Sequence, residues 1–389
     1  MLDLAIVGGG PAGISTALHV QAAAPDARIA VLEKARYPRD KICAGGIGAR
    51  AFRILERLGV EVDCPCVPLD AVAMRIAGET VVVHVPGCGA VVRRIEFDHA
   101  FARAAAARGI EIREGRDVTR IEVADDGVTL ACADGEEIRA RAVIGADGVA
   151  GIVRRQTGFA RGELRAQVVE LDTEGVADDL PRDTVVFDFS TTALRGYAWD
   201  FPTQVAGEPL VCRGVYVLHD GQTHAPGEPR ARMADYLAAR GLDLASYKLK
   251  QFAEQGWSRD AAIAKPRVLL VGEAAGIDIA TGEGIGQAIE YGSIAGPYLA
   301  RALADDDLGF ADWGDTVAKH HLGFQLAIRY GCYRAFYGRR RPKIEKLMPR
   351  MSELFRVGVQ DFAGVPLSKL AIVKGAGQFL AAFARAKLA

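Results

Sequence analysis

Three glycines, Gly8, Gly10 and Gly13, stand in the stretch GGGPAG with the spacing G-x-G-x-x-G. The apolar run LAIV lies directly before them, and PAGISTALHVQAAA, with Pro11 and Ala12 at its start, follows as a helix. In a strand, turn and helix of this kind the first glycine permits the tight turn. The second lets a pyrophosphate approach the backbone, and the third lets helix and strand pack closely. The helix amino terminus then presents partial positive charge to the phosphates. Glu33, with Lys34 beside it among the expected cofactor contacts, ends a second apolar run, RIAVLEK. It falls about 20 residues beyond Gly13, where a carboxylate accepts hydrogen bonds from a ribose. An ordinary glycine-rich turn does not require strand, helix and acid together, so the chemistry indicated is dinucleotide binding, with NAD and FAD both open.

Two further stretches carry reactive or shape-giving side chains. In RDKICAGG, Gly45 and Gly46 let the backbone come close to a cofactor or substrate, while Arg39 or Lys41 can pair with phosphate. In GYAWDFP the two-residue period of a strand puts Tyr197, Trp199 and Phe201 on one face and Ala198 and Asp200 on the other. That face is either core or the wall of a pocket for a flat, apolar molecule. Pro202 is expected to end the strand, since it cannot donate to a ladder. No metal site is expected: Cys64 and Cys66 lack a second ligand pair, and the seven histidines, His224 among them, show no ligand spacing. His320 and His321, as helix neighbours, point in different directions.

These groups need a frame to hold them. The elements read as strand, helix and strand at the amino terminus, a hairpin from about Ala71 to Gly87, helix and strands through Gly148, a strand-rich stretch to Ala264, a buried strand RVLLVG, and helices beyond Gly282. The result is an α/β chain of two interleaved domains. A Rossmann-type domain takes residues 1–66, 91–160 and 266–304; an antiparallel substrate sheet takes 67–90 and 161–265; a helical region takes 305–389. Half the residues are hydrophobic, a quarter are charged and the net charge is −1, which leaves no basic footprint for nucleic acid. No run approaches the roughly 20 apolar residues of a membrane span. A buried-strand pattern opens the chain, and seven scattered cysteines suit reduced thiols, so the expected location is the cytoplasm. The last segment, PLSKLAIVKGAGQFLAAFARAKLA, reads as a helix packed on the domain, or as a lid or membrane-surface contact for a lipid-like substrate.

VIGADGVAGIVRR (Val143–Arg155) and LLVGEAAGIDIATGEGIGQAIEYG (Leu269–Gly292), together with GGGPAG, RDKICAGG, RRIEFD and YAWDFP, resemble the fingerprints of the p-hydroxybenzoate hydroxylase-like flavoproteins, and most closely the geranylgeranyl reductase family. The resemblance runs from Gly8 to Gly292, roughly three quarters of the chain. It implies FAD as cofactor and NAD(P)H as a transient reductant. It also implies that Asp147, Gly148, Gly272 and Glu273 lie along the pyrophosphate and ribitol, Glu273 replacing the family's usual Asp. A turn carboxylate is the alternative for Asp147. Gly282, Glu283, Gly284 and Ile285 would open a long helix whose free amides meet the negative edge of reduced flavin. Lys41, Cys43, Ala44, Gly45 and Arg94 would lie beside the cofactor, and Gly46, Tyr197, Trp199, Phe201 and Ile279 beside the substrate, with Ile279 where the family often has Pro. The implied reaction is reduction of carbon–carbon double bonds in a hydrophobic prenylated substrate, with Cys43 and Tyr197 as candidate acids. A monooxygenase acting on an aromatic or quinone-like molecule is the second reading, and an electron-carrying flavoprotein the third.

Overall fold

The first strand, Leu2–Val7, is apolar almost throughout and buried from Leu4 onward, as a central strand must be when helices cover both faces of a parallel sheet. In the computed structural model, which describes residues 1–160, 162, 164–190, 194–219 and 227–388, this strand lies between Ile29–Glu33 and Glu137–Gly145, parallel to both. Val268–Leu270 extends the sheet on one side and Glu111–Glu114 on the other. The hairpin of Val118–Ala124 and Gly127–Cys132 joins through Glu137–Gly145. Helix Pro11–Ala23 crosses helix Ile285–Ala304 so closely that a Cβ on Gly292 would come within 2.4 Å of the Ser15 hydroxyl, and one on Gly296 within 2.4 Å of His19 Cβ.

The second sheet runs in the order Lys250–Gln255, Arg165–Thr173, Glu208–His219, Gly196–Val205, Thr184–Asp188, Cys66–Ile76, Glu79–Val92, Gly46–Gly48. Every pairing is antiparallel except that of Thr184–Asp188 with Cys66–Ile76. Two short strands differ from the expected segment borders. Gly46–Gly48, inside 1–66, pairs in the second sheet, and Ala264–Lys265, inside 161–265, pairs in the first.

Pro202 does not end its strand, which continues to Val205 in register with Glu208–His219. The neighbour on the other flank stops pairing at Asp200, so that side is open where a residue without an N–H must sit. The alternation itself is as read. Ala198 packs with Met233, Tyr236 and Leu237 beneath helix Glu228–Ala238, and Asp200 accepts from Arg213, Tyr236 and Arg240 on that side. Tyr197, Trp199 and Phe201 face the opposite way, toward four carboxy-terminal helices, His321–Phe336, Arg341–Leu347, Ser352–Phe362 and Lys369–Leu388, whereas Trp313–Lys319 packs on the first sheet. No helix among the described residues is long and apolar enough to cross a membrane.

Candidate active site

At the carboxyl ends of the parallel strands the glycine loop is shaped by what surrounds it. Gly8 has φ +108, and a Cβ there would meet the Ala146 carbonyl oxygen at 2.4 Å; on Gly13 it would meet the Gly8 oxygen at 1.9 Å. Gly10 is different. Its nearest neighbours are the guanidinium tips of Arg94 and Arg39, at 3.8 and 3.9 Å, so open space bounded by two cations lies beside a helix amino terminus. The diphosphate of FAD suits that combination of charge and room. Arg94 is buried and bidentate to Asp98 at 2.7 and 2.7 Å, and Arg39 reaches the same carboxylate at 2.8 Å. Glu33 accepts the Gly9 N–H at 2.9 Å and Arg39 at 3.1 Å, so it braces the loop. Ala12 is buried against Gly272, whose Cβ would come within 2.6 Å of it. Lys34 is exposed and Pro11 buried at the first helical turn.

Further along, Asp147 uses Oδ2 to accept the Val153 N–H at 2.9 Å and so caps helix Ile152–Gln156, while its buried Oδ1 has no partner. Burial pushes this carboxyl up. The turn role is therefore real, and one oxygen remains for a ligand. Lys41 pairs with Glu273 at 3.1 Å, and both tips lie within 4 Å of the Cβ position of Gly148.

The turn before helix Ile285–Ala304 is built by a residue that the motif reading passed over. Asp278 accepts the Ala280 N–H at 2.7 Å, the Thr281 N–H at 3.2 Å and the Thr281 hydroxyl at 2.5 Å. Arg329 then bridges Asp278 at 2.9 Å and Glu283 at 2.6 Å, and Gly284 caps the helix. The helix amides thus face the end of the site where the flavin ring would lie. Opposite, Gly45 adopts φ +84 with no room for a side chain, since a Cβ would meet the Val92 oxygen at 1.8 Å. Cys43 donates its N–H to Glu170 at 3.0 Å, and its sulfur accepts the Gly45 N–H at 3.4 Å. Burial raises its thiol pKa, so the sulfur stays protonated.

The aromatic face meets this end directly. Tyr197 stacks on Tyr216, its cross-strand partner, with ring centroids 5.0 Å apart and 15° between planes. Trp199 covers Gly214, where a Cβ would be only 2.0 Å from the indole, and Phe201 covers Gly46 at 2.9 Å. A predominantly apolar cavity of ≈ 520 Å³ starts at Cys43–Gly46 and Ala280–Ile285, passes over Tyr197, Trp199, Phe201 and Phe252, and ends among Tyr333, Phe336, Met351, Phe355 and Ile372. Tyr197, Trp199 and Phe201 form one wall of this cavity. Sequence reading does not foresee that the carboxy-terminal helices form the opposite wall.

Three expectations change. Ile279 does not line the cavity but is buried against Gly256, its Cβ 3.1 Å from that glycine's Cβ position, because Ala280 and Thr281 take the facing positions of the turn. Tyr197 donates its hydroxyl proton to the Thr281 oxygen at 2.5 Å, which ties the wall to the turn, and burial raises its pKa well above that of a free phenol. His320 and His321 both turn toward Glu290, at 3.6 and 3.0 Å, because His320 precedes its helix as a cap; His224 lies outside the described residues. The missed groups are Asp278, Arg329, Tyr216 and Glu254. Glu254 shares a strand face with Phe252 in the stretch KQFAEQ, and that alternation was the one available signal.

The family described as an FAD binding domain matches residues 1–305. Over the chain as a whole, 26% identity across 356 residues links it to a digeranylgeranylglycerophospholipid reductase of Methanosphaera stadtmanae, covering 84% of this chain and 87% of that one. A menaquinone reductase of Mycolicibacterium smegmatis is 28% identical over 359 residues, with coverage of 84% and 83%. Among solved structures, a geranylgeranyl bacteriochlorophyll reductase-like protein of Thermoplasma acidophilum superimposes with a TM-score of 0.68 at 19% identity, over 96% of this chain and 95% of that one.

Proposed function

We propose that this chain, which belongs to the FAD binding domain family and is an FAD-dependent oxidoreductase, reduces carbon–carbon double bonds of a long isoprenoid or prenylated substrate. The observation that carries this reading is the elongated apolar cavity, which begins at the flavin end and continues between an aromatic sheet face and the carboxy-terminal helices. A chain of linked isoprene units suits such a space. FAD, reduced by a visiting nicotinamide, supplies an electron pair and one hydrogen.

The protein's own residues do the rest. Gly8, Gly10 and Gly13 with Arg39 and Arg94 would hold the diphosphate of FAD, Glu33 steadies the loop, and Asp147, Lys41 and Glu273 would border the ribitol. The turn set by Asp278 orients the amino terminus of helix Ile285–Ala304 toward the cavity, where its free amides would stabilise negative charge on a reduced cofactor. Tyr197, Trp199, Phe201 and Gly46 line the cavity and would position an apolar substrate there and exclude water.

The same reading brings a lipid-like substrate in from a membrane surface. Ile372 and Phe379 line the cavity, while Leu370, Val373 and Leu380 on the same helix are 63, 67 and 65% exposed. Replacing Val373 and Leu380 with Glu is expected to reduce sedimentation with anionic phospholipid vesicles while leaving flavin content intact.

The deciding experiment is a product mass spectrum. Purified, FAD-loaded protein would receive NADH or NADPH and a mixture of prenyl diphosphates, prenylated quinones and prenylated aromatics under isotopically labelled oxygen. A product heavier by two hydrogens, also formed without oxygen, supports the reductase. Incorporation of labelled oxygen would overturn it in favour of a monooxygenase.

A further inference from the structure

An alkene that accepts a hydrogen with its electron pair at one carbon needs a proton at the other. The polar groups at the cofactor end of the cavity differ in whether they have one to give. Tyr197 commits its proton to the Thr281 oxygen. Glu283 is held by Arg329 at 2.6 Å. Cys43 also keeps its proton, but burial lifts its thiol above an ordinary value already well beyond neutral pH, a poor match for proton transfer there; Glu170, which accepts the Cys43 N–H, borders a separate polar recess rather than the apolar cavity.

Glu254 and Tyr216 remain. Both line the cavity, and the Glu254 Oε2 and the Tyr216 hydroxyl are sealed from solvent without a well-formed hydrogen bond to any group. They meet at one point: the Cβ position of Gly282 is 2.9 Å from the Tyr197 hydroxyl, 3.0 Å from Tyr216 Cε2 and 3.4 Å from Glu254 Oε2. Gly282 has φ +68 and belongs to the turn that opens the flavin-facing helix, so the carboxyl sits where cofactor and substrate must come together.

We infer that Glu254 is the general acid of the reaction. The inference rests on the reductase reading given above. In the step, the substrate π bond breaks and the Glu254 O–H bond breaks; one carbon gains the carboxyl proton, and the other gains the hydrogen and electron pair from reduced FAD. The alkene is reduced by two electrons, FAD is oxidised, and Glu254 is left as carboxylate. It regains a proton from water admitted when product leaves.

The charge environment suits this role. Burial, aided by the negative charges of Glu273 and Asp278, pushes the Glu254 carboxyl up to about 8, against the smaller opposing effects of Tyr216 and Lys41. At neutral pH the group therefore carries its proton, and the matched pKa favours transfer.

Two measurements test the inference. Infrared difference spectra of the wild-type protein should show a protonated-carboxyl band that disappears around pH 8 and is missing from E254Q. In stopped-flow work, reoxidation of reduced, anaerobic holoenzyme by an alkene substrate should slow by about 100-fold or more in E254Q, with substrate affinity little changed and part of the rate restored in E254D. Absence of the titrating band in wild type, or full reoxidation rate in E254Q, would overturn the assignment. If wild type reduces no alkene at all, the reductase reading fails, whereas the infrared titration still decides whether Glu254 stores a proton there.

Discussion

Replacing Arg329 with Met puts the site's buried charge arrangement to a quantitative test. Arg329 holds Asp278 at 2.9 Å and Glu283 at 2.6 Å, and its other nitrogen lies 3.9 Å from Asp361. Its side chain is 18% exposed, and those of Asp278 and Asp361 are 1 and 6% exposed, so solvent cannot replace the lost cation. Breaking a buried pair by removing one partner costs about 3–5 kcal/mol. R329M should lose stability by that amount in urea unfolding of the apoprotein at pH 7. Adding Glu283→Gln to R329M removes one stranded charge and should recover about 0.5–3 kcal/mol as coupling. The pH dependence has a defined sign. Even beside Arg329, burial raises the Glu283 carboxyl; without Arg329 the folded-state value rises further above the unfolded one. Such a group subtracts stability above the unfolded carboxyl range of about 4, and the deficit fades as pH falls and the group protonates. R329M should therefore approach wild type toward acid pH. A loss below about 1 kcal/mol, or a deficit that does not shrink on acidification, would refute the claim that these carboxylates depend on Arg329.

Further outcomes follow from other contacts. Gly46→Val places a side chain against Phe201, already 2.9 Å from the Cβ position, so substrate KM should rise while FAD content is retained, as steady-state kinetics and flavin absorbance would reveal. Glu33→Gln weakens the acceptor for the Gly9 N–H and removes the charge facing Arg39; FAD affinity measured by fluorescence quenching should fall about tenfold, equivalent to ~1.4 kcal/mol. His321 hydrogen-bonds Asp361 and Glu290, and these bonds raise its pKa to about 9. The stabilisation it gives is complete below its unfolded value near ~6.5 and is lost as pH rises through about 9, so His321→Gln should flatten the fall in stability across that window in urea titrations.

The cofactor side was legible because its signals are local. Gly8, Gly10, Gly13 and Glu33 occupy one strand, turn, helix and strand, and each spacing has a direct geometric meaning. The face of Tyr197, Trp199 and Phe201 was legible for the same reason, from a period of two. Convergences across distant chain segments were not. Glu254 reaches Gly282 from an edge strand of the other sheet, and Arg329 reaches Asp278 from a separate helix, so no short pattern contains either pair. Pro202 misled because its effect depends on whether a neighbouring strand is still paired there, a property of the sheet rather than of the residue. Ile279 misled because a turn of two or three residues decides which side chain faces inward, and Asp278 sets that turn.

The cavity's two walls come from different parts of the chain. The match to the FAD binding domain ends at residue 305, whereas Tyr333, Phe336, Met351, Phe355 and Ile372 all lie beyond it. Substrate length and shape can thus drift independently of redox chemistry: changes among these late helices would remodel the far wall without disturbing the strands and loops that grip the cofactor. For the engineer this divides the molecule into a cofactor half and a far wall that can be altered separately, with the boundary near the end of helix Ile285–Ala304.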